Sequence, residues 1–262
     1  MLRVRLDQLL VDRGLARSRA AAQAMVLAGE VELDGGGRAL KPGNLVAADA
    51  GVSVRDRPRW ASRAGDKLEA ALDAFGVEVA GRTAMDAGAS TGGFTDVLLS
   101  RGAARVYAVD VGRAQLIDRL RRDPRVVSME RTNLRTLDSL PEPIDLATLD
   151  LSFISLRLVL PVVRRVLRRE GAVVALVKPQ FEAGKAAVPR GGVIRDPATH
   201  AAVLRRFATD AAEAGFGLDG LMRSPVTGTD GNIEFLSHLG ELPGSAPRAL
   251  EPLIERLTTA SA

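Results

Sequence analysis

Cysteine is absent from the 262 residues, which excludes disulfides, thiolate metal sites and cysteine nucleophiles together. Histidine occurs only at His200 and His238, too few for a histidine-rich metal centre. Aromatic residues make up 3% of the chain, so a core must rest on Leu, Val, Ile and Ala; hydrophobic residues, at 46%, are plentiful enough to supply one. A long apolar run is missing too. The most apolar stretch, 156–177, is interrupted by Arg164, Arg165, Arg168, Arg169 and Glu170, whereas a membrane span needs roughly 20 apolar residues. The charged, amphipathic start of the chain lacks the apolar segment of a signal peptide. These absences point to a cytoplasmic protein with no membrane partner and no metal.

What is present is unevenly distributed. Residues 1–65 carry eleven Lys and Arg against seven Asp and Glu, while residues 66–262 carry twenty-five of each sign. The entire excess of +4 therefore lies in the first quarter of the chain. A localised basic surface suits a polyanion, because neutralising phosphates releases counterions and drives association. A solvated basic face with no partner has the same composition.

The pattern divides the chain into residues 1–54, a basic linker 55–66, a larger domain 67–240 and a tail 241–262. In the first segment, Leu6, Leu9 and Leu10 follow helical spacing, and Ser18 can cap a second helix that Gly29 ends. Strands are expected over Val31–Leu33 and Leu45–Val54, around the turn from Asp34 to Gly37 and the break at Pro42-Gly43. The linker holds Arg55, Arg57, Arg59 and Arg63 beside the single tryptophan, Trp60. Beyond it, helical and strand patterns alternate. Strands are expected over Thr83–Asp86, Arg105–Asp110, Val126–Glu130, Asp145–Asp150, Ala172–Val177, Gly217–Met222 and Ile233–His238. Helices are expected over Lys67–Phe75, Gly93–Ser100, Arg113–Arg121, Ser155–Arg168, Pro197–Ala214 and, in the tail, Arg248–Leu257. Such alternation predicts an α/β fold with a seven-stranded, mostly parallel, doubly wound sheet, whose last two strands form an antiparallel hairpin.

The strongest local signal is Asp86-Ala87-Gly88-Ala89-Ser90-Thr91-Gly92-Gly93-Phe94, placed where the first strand of the sheet ends and a helix begins. A dinucleotide fingerprint would need glycine where Ser90 stands, and a P-loop would need a lysine that is not there. A glycine turn headed by an acid remains, with a second acid, Asp110, at the tip of the next strand. Asp110 can accept both hydroxyls of a ribose, and Asp86 can face a cationic amino-acid moiety. That pair suits S-adenosylmethionine, which carries a ribose and a zwitterionic tail but no phosphate. A turn that merely closes a βα unit is the plainer alternative.

Lys67, Asp150, Lys178 and Glu234 form the second candidate group. Asp150 and Lys178 end predicted strands at the edge that bears the glycine turn, and Pro179 forces the chain out of its strand after Lys178. A ribose 2′-hydroxyl attacking a sulfonium methyl needs a base or strong positioning. Lys178 is the candidate base, oriented by Asp150 and Glu234, with Lys67 adding positive charge. Taken singly, each of the four reads as a surface ion pair.

Together these motifs resemble the TlyA family of 2′-O-methyltransferases that modify cytidines of ribosomal RNA, across nearly the whole chain. Arg5 to Val11, Arg13 to Arg19 and Gly29 to Val31 are similar to an S4 RNA-binding domain; Trp60 to Leu68 is similar to the family's interdomain junction. The runs Asp86–Thr95, Arg131–Asn133, Asp150–Ser155, Val177–Glu182 and Gly231–Glu234 resemble family signatures. The resemblance implies a small α+β S4-like domain followed by a Rossmann-like class I methyltransferase of FtsJ-like type, acting on ribosomal RNA within ribosomal subunits. It places a Lys-Asp-Lys-Glu catalytic tetrad on Lys67, Asp150, Lys178 and Glu234. It also puts Asn133, Asp150 and Phe153 at the cofactor, and Arg5, Arg17, Arg19, Lys41, Arg59 and Arg63 at the RNA. The glycine-bearing loop 182–195 is expected to close over the acceptor nucleotide. Some relatives carry the name haemolysin, but no spanning helix or amphipathic β-repeat is visible here. A fold that binds RNA without catalysis would have no reason to keep both the glycine turn and the tetrad.

Overall fold

The computed structural model describes residues 3–27, 31–34, 37–38, 41–54, 59–228, 231–242 and 250–259. The expectations at Gly29, at Gly35 and Gly36, and at Arg55 and Arg57 lie outside these. The chain divides into two compact units, Met1–Arg59 and Trp60–Ala262.

The first unit runs β1 (Arg3–Arg5), α1 (Leu6–Asp12), α2 (Arg19–Leu27), β2 (Val31–Leu33), β3 (Gly37–Arg38), β4 (Leu45–Ala47) and β5 (Val52–Val54). β1 pairs antiparallel with β4, and β2 lies between β3 and β5. The single strand expected over Leu45–Val54 is two, because the Ala50 amide donates to the Ala47 carbonyl (3.0 Å) and turns the chain. Leu6, Leu9 and Leu10 of α1 close a small core with Ala22 and Val26 of α2 and with Val31 and Val46.

The second unit runs α3 (Ala64–Phe75), β6 (Thr83–Ala87), α4 (Gly93–Ser100), β7 (Arg105–Val109), α5 (Asp118–Arg121), β8 (Val126–Met129), β9 (Ile144–Leu149), α6 (Leu160–Val166), β10 (Leu167–Val177), α7 (Pro179–Glu182), α8 (Pro197–Glu213), β11 (Phe216–Arg223), β12 (Phe235–Glu241) and α9 (Leu250–Thr259). Its seven strands lie in the order β11-β12-β10-β9-β6-β7-β8. Five run parallel; β12 pairs antiparallel with both β10 and β11, giving the hairpin read from the sequence. Successive side chains serve opposite faces of the sheet. Ala84, Val106, Leu146 and Val174 pack on one face with Leu68, Leu72 and Leu98, while Met85, Tyr107, Ala147 and Val173 pack on the other with Val163, Leu204 and Phe207.

From β6 the chain winds outward through β7 to β8, then crosses back to lay β9 on the other side of β6. Connections after β6 and β9 therefore diverge, which opens a crevice at their carboxyl ends. The Asp150 amide donates to the Ala87 carbonyl at 3.0 Å, so the two strand ends are tied where they part.

Elements of the second unit also differ from expectation. The helix over Arg113–Arg121 is reduced to Asp118–Arg121, because Ala114 takes φ +52° and Ile117 is extended (φ −62°, ψ 148°). The helix over Ser155–Arg168 begins as a 3-10 turn at Leu156–Leu158 and ends at Val166. Leu167 already pairs with Ile144, and the register then slips so that Ala172 pairs with Leu146. The last strand starts at Phe235, not Ile233.

Candidate active site

The crevice holds a cavity of about 690 Å³, within the range of sites for nucleoside-sized ligands. Its apolar wall includes Val111, Leu134, Leu151, Phe153 and Leu158; its polar groups include Ser90, Asp110, Gln115, Thr132, Asn133 and Asp150. Asp110 is aimed by two backbone donors, the Ser90 amide (2.9 Å) on one oxygen and the Gly112 amide (2.7 Å) on the other. A carboxylate has about four acceptor positions, so two remain for the hydroxyls of a ribose. The backbone is strained around this cavity: Ser90 (φ +46°) and Phe153 (φ +63°) both occupy the left-handed region, unusual for residues with side chains. Phe153 is 90% exposed, and its ring lies 5.1 Å from that of Phe181. Gly88 takes φ +85°, and a Cβ there would stand 2.3 Å from the Asp150 carbonyl oxygen. Only glycine allows the turn to lie against the end of β9 in this way.

Of the sequence-predicted cofactor residues, Gly88, Ser90, Asp110, Asn133, Asp150 and Phe153 line the cavity. Ala89, Thr91, Gly92, Gly93 and Phe94 build the turn instead: Gly92 caps α4 at φ +100°, and Phe94 is buried in the core. Asp86 corrects the reading that it faces an amino-acid moiety. Its side chain is fully buried beneath the turn, where Oδ2 accepts from the Thr95 hydroxyl (2.6 Å) and Oδ1 lies 3.4 Å from the Thr148 hydroxyl. Burial pushes its pKa up to about 7, the nearby charge of Asp150 adds to the rise, and the threonine hydroxyls oppose it. The wall residues Val111, Gln115, Thr132, Leu151 and Ser152 were missed. They stand within a few positions of the ends of β7, β8 and β9, a rule that would have found most of them.

A second cavity of about 220 Å³ is lined by Ser62, Arg63, Lys67, Asp150, Lys178, Thr227 and Glu234 among others. All four tetrad residues meet here. The Lys67 Nζ donates to Glu234 Oε2 at 2.5 Å, with both side chains nearly closed to solvent. The Lys178 Nζ lies 2.6 Å from Asp150 Oδ1 and donates to the Ser152 hydroxyl at 3.2 Å. Gly228 lets the loop before β12 approach Glu234, since a Cβ there would meet Oε1 at 2.7 Å. Asp150 lines both cavities, so it is the wall between them.

The segment read as a linker is part of the second unit from Trp60 onward. Trp60 is buried against Gly65, and the Ala61 amide donates to Asp96 Oδ2 at 2.8 Å, where Arg119 also forks onto the carboxylate. Its basic composition masked this burial. Gly93 packs on Ser62, so the segment that lines the second cavity rests on the helix that starts at the glycine turn. The loop 182–195 is fastened at both ends. Glu182 accepts from the Ser155 hydroxyl (2.6 Å) and the Leu156 amide (2.8 Å), and Asn232 bonds the Ile194 amide and the Gly192 carbonyl (3.0 Å each).

The expected RNA-facing residues fall into two groups. In the first unit, Arg5 and Arg19 both bond the fully buried Asp7, as does Gln23. This cluster holds the Asp7 carboxyl well below the usual carboxylate range, with the Arg5 hydrogen bond the largest cause. Arg17 and Lys41 are exposed and form no ion pair among the described residues, and Arg59 closes the unit. Arg63 belongs to the second unit, at the second cavity. Among the described residues no cluster of metal-binding side chains occurs, and no helix is long and apolar enough to cross a membrane.

The FtsJ-like methyltransferase family model matches residues 60–241, and the S4 domain model matches residues 4–45. The 16S/23S rRNA (cytidine-2′-O)-methyltransferase TlyA of Mycobacterium tuberculosis is 49% identical, over 89% of this chain and 88% of its own length. Hemolysin A of Brachyspira hyodysenteriae is 39% identical, over 90% of this chain and 99% of its own. A solved Streptococcus thermophilus structure described as a hemolysin superposes with a TM-score of 0.74 at 40% identity, covering 98% of this chain and 96% of its own.

Proposed function

The chain belongs to the FtsJ-like methyltransferase family and carries an S4 domain at its amino end, and from that premise we propose that it methylates the ribose 2′-hydroxyl of a cytidine in ribosomal RNA within ribosomal subunits. S-adenosylmethionine is the methyl donor. The observation that carries the reading is Asp150, which forms the wall shared by a nucleoside-sized cavity and a charged pocket holding the tetrad. Donor and acceptor bound in two cavities that share a lining residue would be neighbours, as methyl transfer between them needs. The cytidine specificity and the ribosomal substrate rest on the named M. tuberculosis relative.

The residues of the larger cavity fit the cofactor by their chemistry. Asp110 would hold the ribose, and the apolar wall at Val111, Leu134 and Phe153 would take the adenine. When bound, the cofactor supplies an electrophilic methyl group on a sulfonium. Lys178 then works at the acceptor oxygen. Its ammonium form bonds Asp150 and Ser152, which fix where the Nζ stands. In that position Lys178 would take the proton that the acceptor hydroxyl gives up, with Asp150 holding the resulting ammonium. Lys67 lines the same pocket, paired with Glu234. Glu234 holds Lys67 in place.

The reading is tested by incubating the protein with methyl-tritiated S-adenosylmethionine and unmethylated small or large ribosomal subunits, then digesting the RNA to nucleosides. Tritium in 2′-O-methylcytidine is the expected result. Tritium on a base, or none with the cofactor bound, would overturn it.

A further inference from the structure

We propose that the loop between α7 and α8 is an RNA contact of the catalytic unit, in which Arg190 and Arg195 hold phosphates next to the acceptor nucleotide and Asn232 positions the loop. This rests on the ribosomal RNA substrate proposed above.

The second unit is balanced in charge beyond residue 65, yet its arginines are not treated alike. Arg101 sits on Asp73, Arg105 on Glu142, Arg168 on Asp145, Arg169 on Glu241 and Arg205 on Glu251. Arg190 and Arg195 are exposed and have no ion pair among the described residues. They line one cavity of about 490 Å³ between the loop and the start of α8. The carboxylate on that wall, Asp196, is engaged elsewhere: it accepts from the Ala198 amide (3.2 Å), the Thr199 amide (3.0 Å) and the Thr199 hydroxyl (2.6 Å) as the cap of α8. The cavity therefore presents two guanidinium groups beside one carboxylate, whose oxygens are taken up by the cap of α8 and not by either arginine. Guanidinium forks match phosphate oxygens and keep their charge at any working pH.

Placement ties this surface to the reaction. Asn232 is 2% exposed and grips the loop from both sides of its amide, accepting from the Ile194 amide and donating to the Gly192 carbonyl at 3.0 Å each. Gly191 (φ +100°) and Gly192 (φ +76°) turn the chain between the two arginines. Glu234 of the tetrad follows Asn232 by two residues, a span of roughly 7 Å of extended chain. The arginines are thus carried by a loop fastened to the strand entrance that places Glu234. RNA running past the acceptor pocket meets them with its backbone.

The test uses the full-length chain and unmethylated ribosomal subunits, with binding measured over a range of potassium chloride concentrations. Each phosphate contact contributes about 0.7 to 0.9 to the slope of log affinity against log salt. Arg190→Ala combined with Arg195→Ala should therefore flatten that slope by about 1.5 and weaken binding, leaving cofactor affinity unchanged. Arg169→Ala combined with Arg205→Ala, which removes arginines already on carboxylates, should leave the slope alone. Asn232→Ala should reproduce the flattening without removing any charge, and Asn232→Asp, which keeps the acceptor for Ile194, should restore part of it. A loss of affinity at unchanged slope would mean a contact with ribosomal protein and overturn the proposal. So would unchanged binding in an enzyme that methylates normally, which would spare the proposed function. If the unaltered protein neither binds nor methylates ribosomal RNA, both fall together.

Discussion

Asp7 in the first unit and Asp86 in the second are both closed off from solvent, and their surroundings drive them in opposite directions. Asp7 is ringed by cations and an amide, Arg5, Arg19 and Gln23, and stays charged far into the acid range. Asp86 has two hydroxyls and a neighbouring carboxylate, and its proton leaves only near pH 7. The first arrangement organises arginines on the outside of a small domain, which is the work of a binding module. The second puts a carboxyl of raised pKa beneath the glycine turn, within reach of the Asp150 charge. The difference teaches that burial drives a carboxyl's pKa up unless cations are bonded to it, as Arg5 and Arg19 are to Asp7.

Glu234→Ala strikes the catalytic unit hardest. It leaves the Lys67 ammonium buried without its partner, which costs about 3–5 kcal/mol of stability, and methyl transfer should fall by roughly 10²–10⁴. Thermal melting and single-turnover labelling separate the two effects. Asp110→Ala comes next, because it removes the charged acceptor of the ribose, worth about 1.5–3 kcal/mol. The cofactor Kd should rise by roughly 10- to 100-fold while binding of ribosomal subunits holds, as calorimetry and filter binding can report.

The two aspartates predict opposite pH limbs. For Asp86 the folded pKa, about 7, lies above the unfolded value, so its contribution to stability falls as pH rises from about 4 to 7. Asp86→Asn should flatten that decline. For Asp7 the folded pKa lies below the unfolded one, so its contribution is full above about pH 4 and is lost on further acidification. Asp7→Asn should remove that acid limb and, by releasing Arg5 and Arg19, weaken RNA binding. Denaturant melts at stepped pH check both, and identical limbs would dissolve the contrast. The smallest effect belongs to Arg169→Ala, whose solvent-screened pair with Glu241 should leave the melting temperature close to that of the unaltered protein.

Much of the fold was legible because the strands of the second unit are short apolar runs separated by turn residues, and β6, buried along its whole length, lies inside the sheet between β9 and β7. The tetrad was legible for a related reason: Asp150 and Lys178 are polar residues at the ends of buried strands, where side chains face the crevice. Three things were hidden. The direction of Asp86 depends on Thr95 and Thr148, which reach it from another helix and another strand. The burial of Trp60 depends on Gly65, a contact that polar neighbours disguise. The helix expected from Arg113 yields to a left-handed turn at Ala114, and the freed loop supplies Val111 and Gln115 to the wall of the larger cavity. In each case a tertiary partner overrode a local pattern.

Lys178→Ala tests the central claim most directly, measured for cofactor affinity, subunit binding and 2′-O-methylcytidine formation on one preparation. The account predicts that both binding constants stay within about threefold while methylation is lost by at least about 100-fold. Methylation persisting near the unaltered rate, or cofactor affinity collapsing along with it, would contradict the assignment of Lys178 to the acceptor side of Asp150.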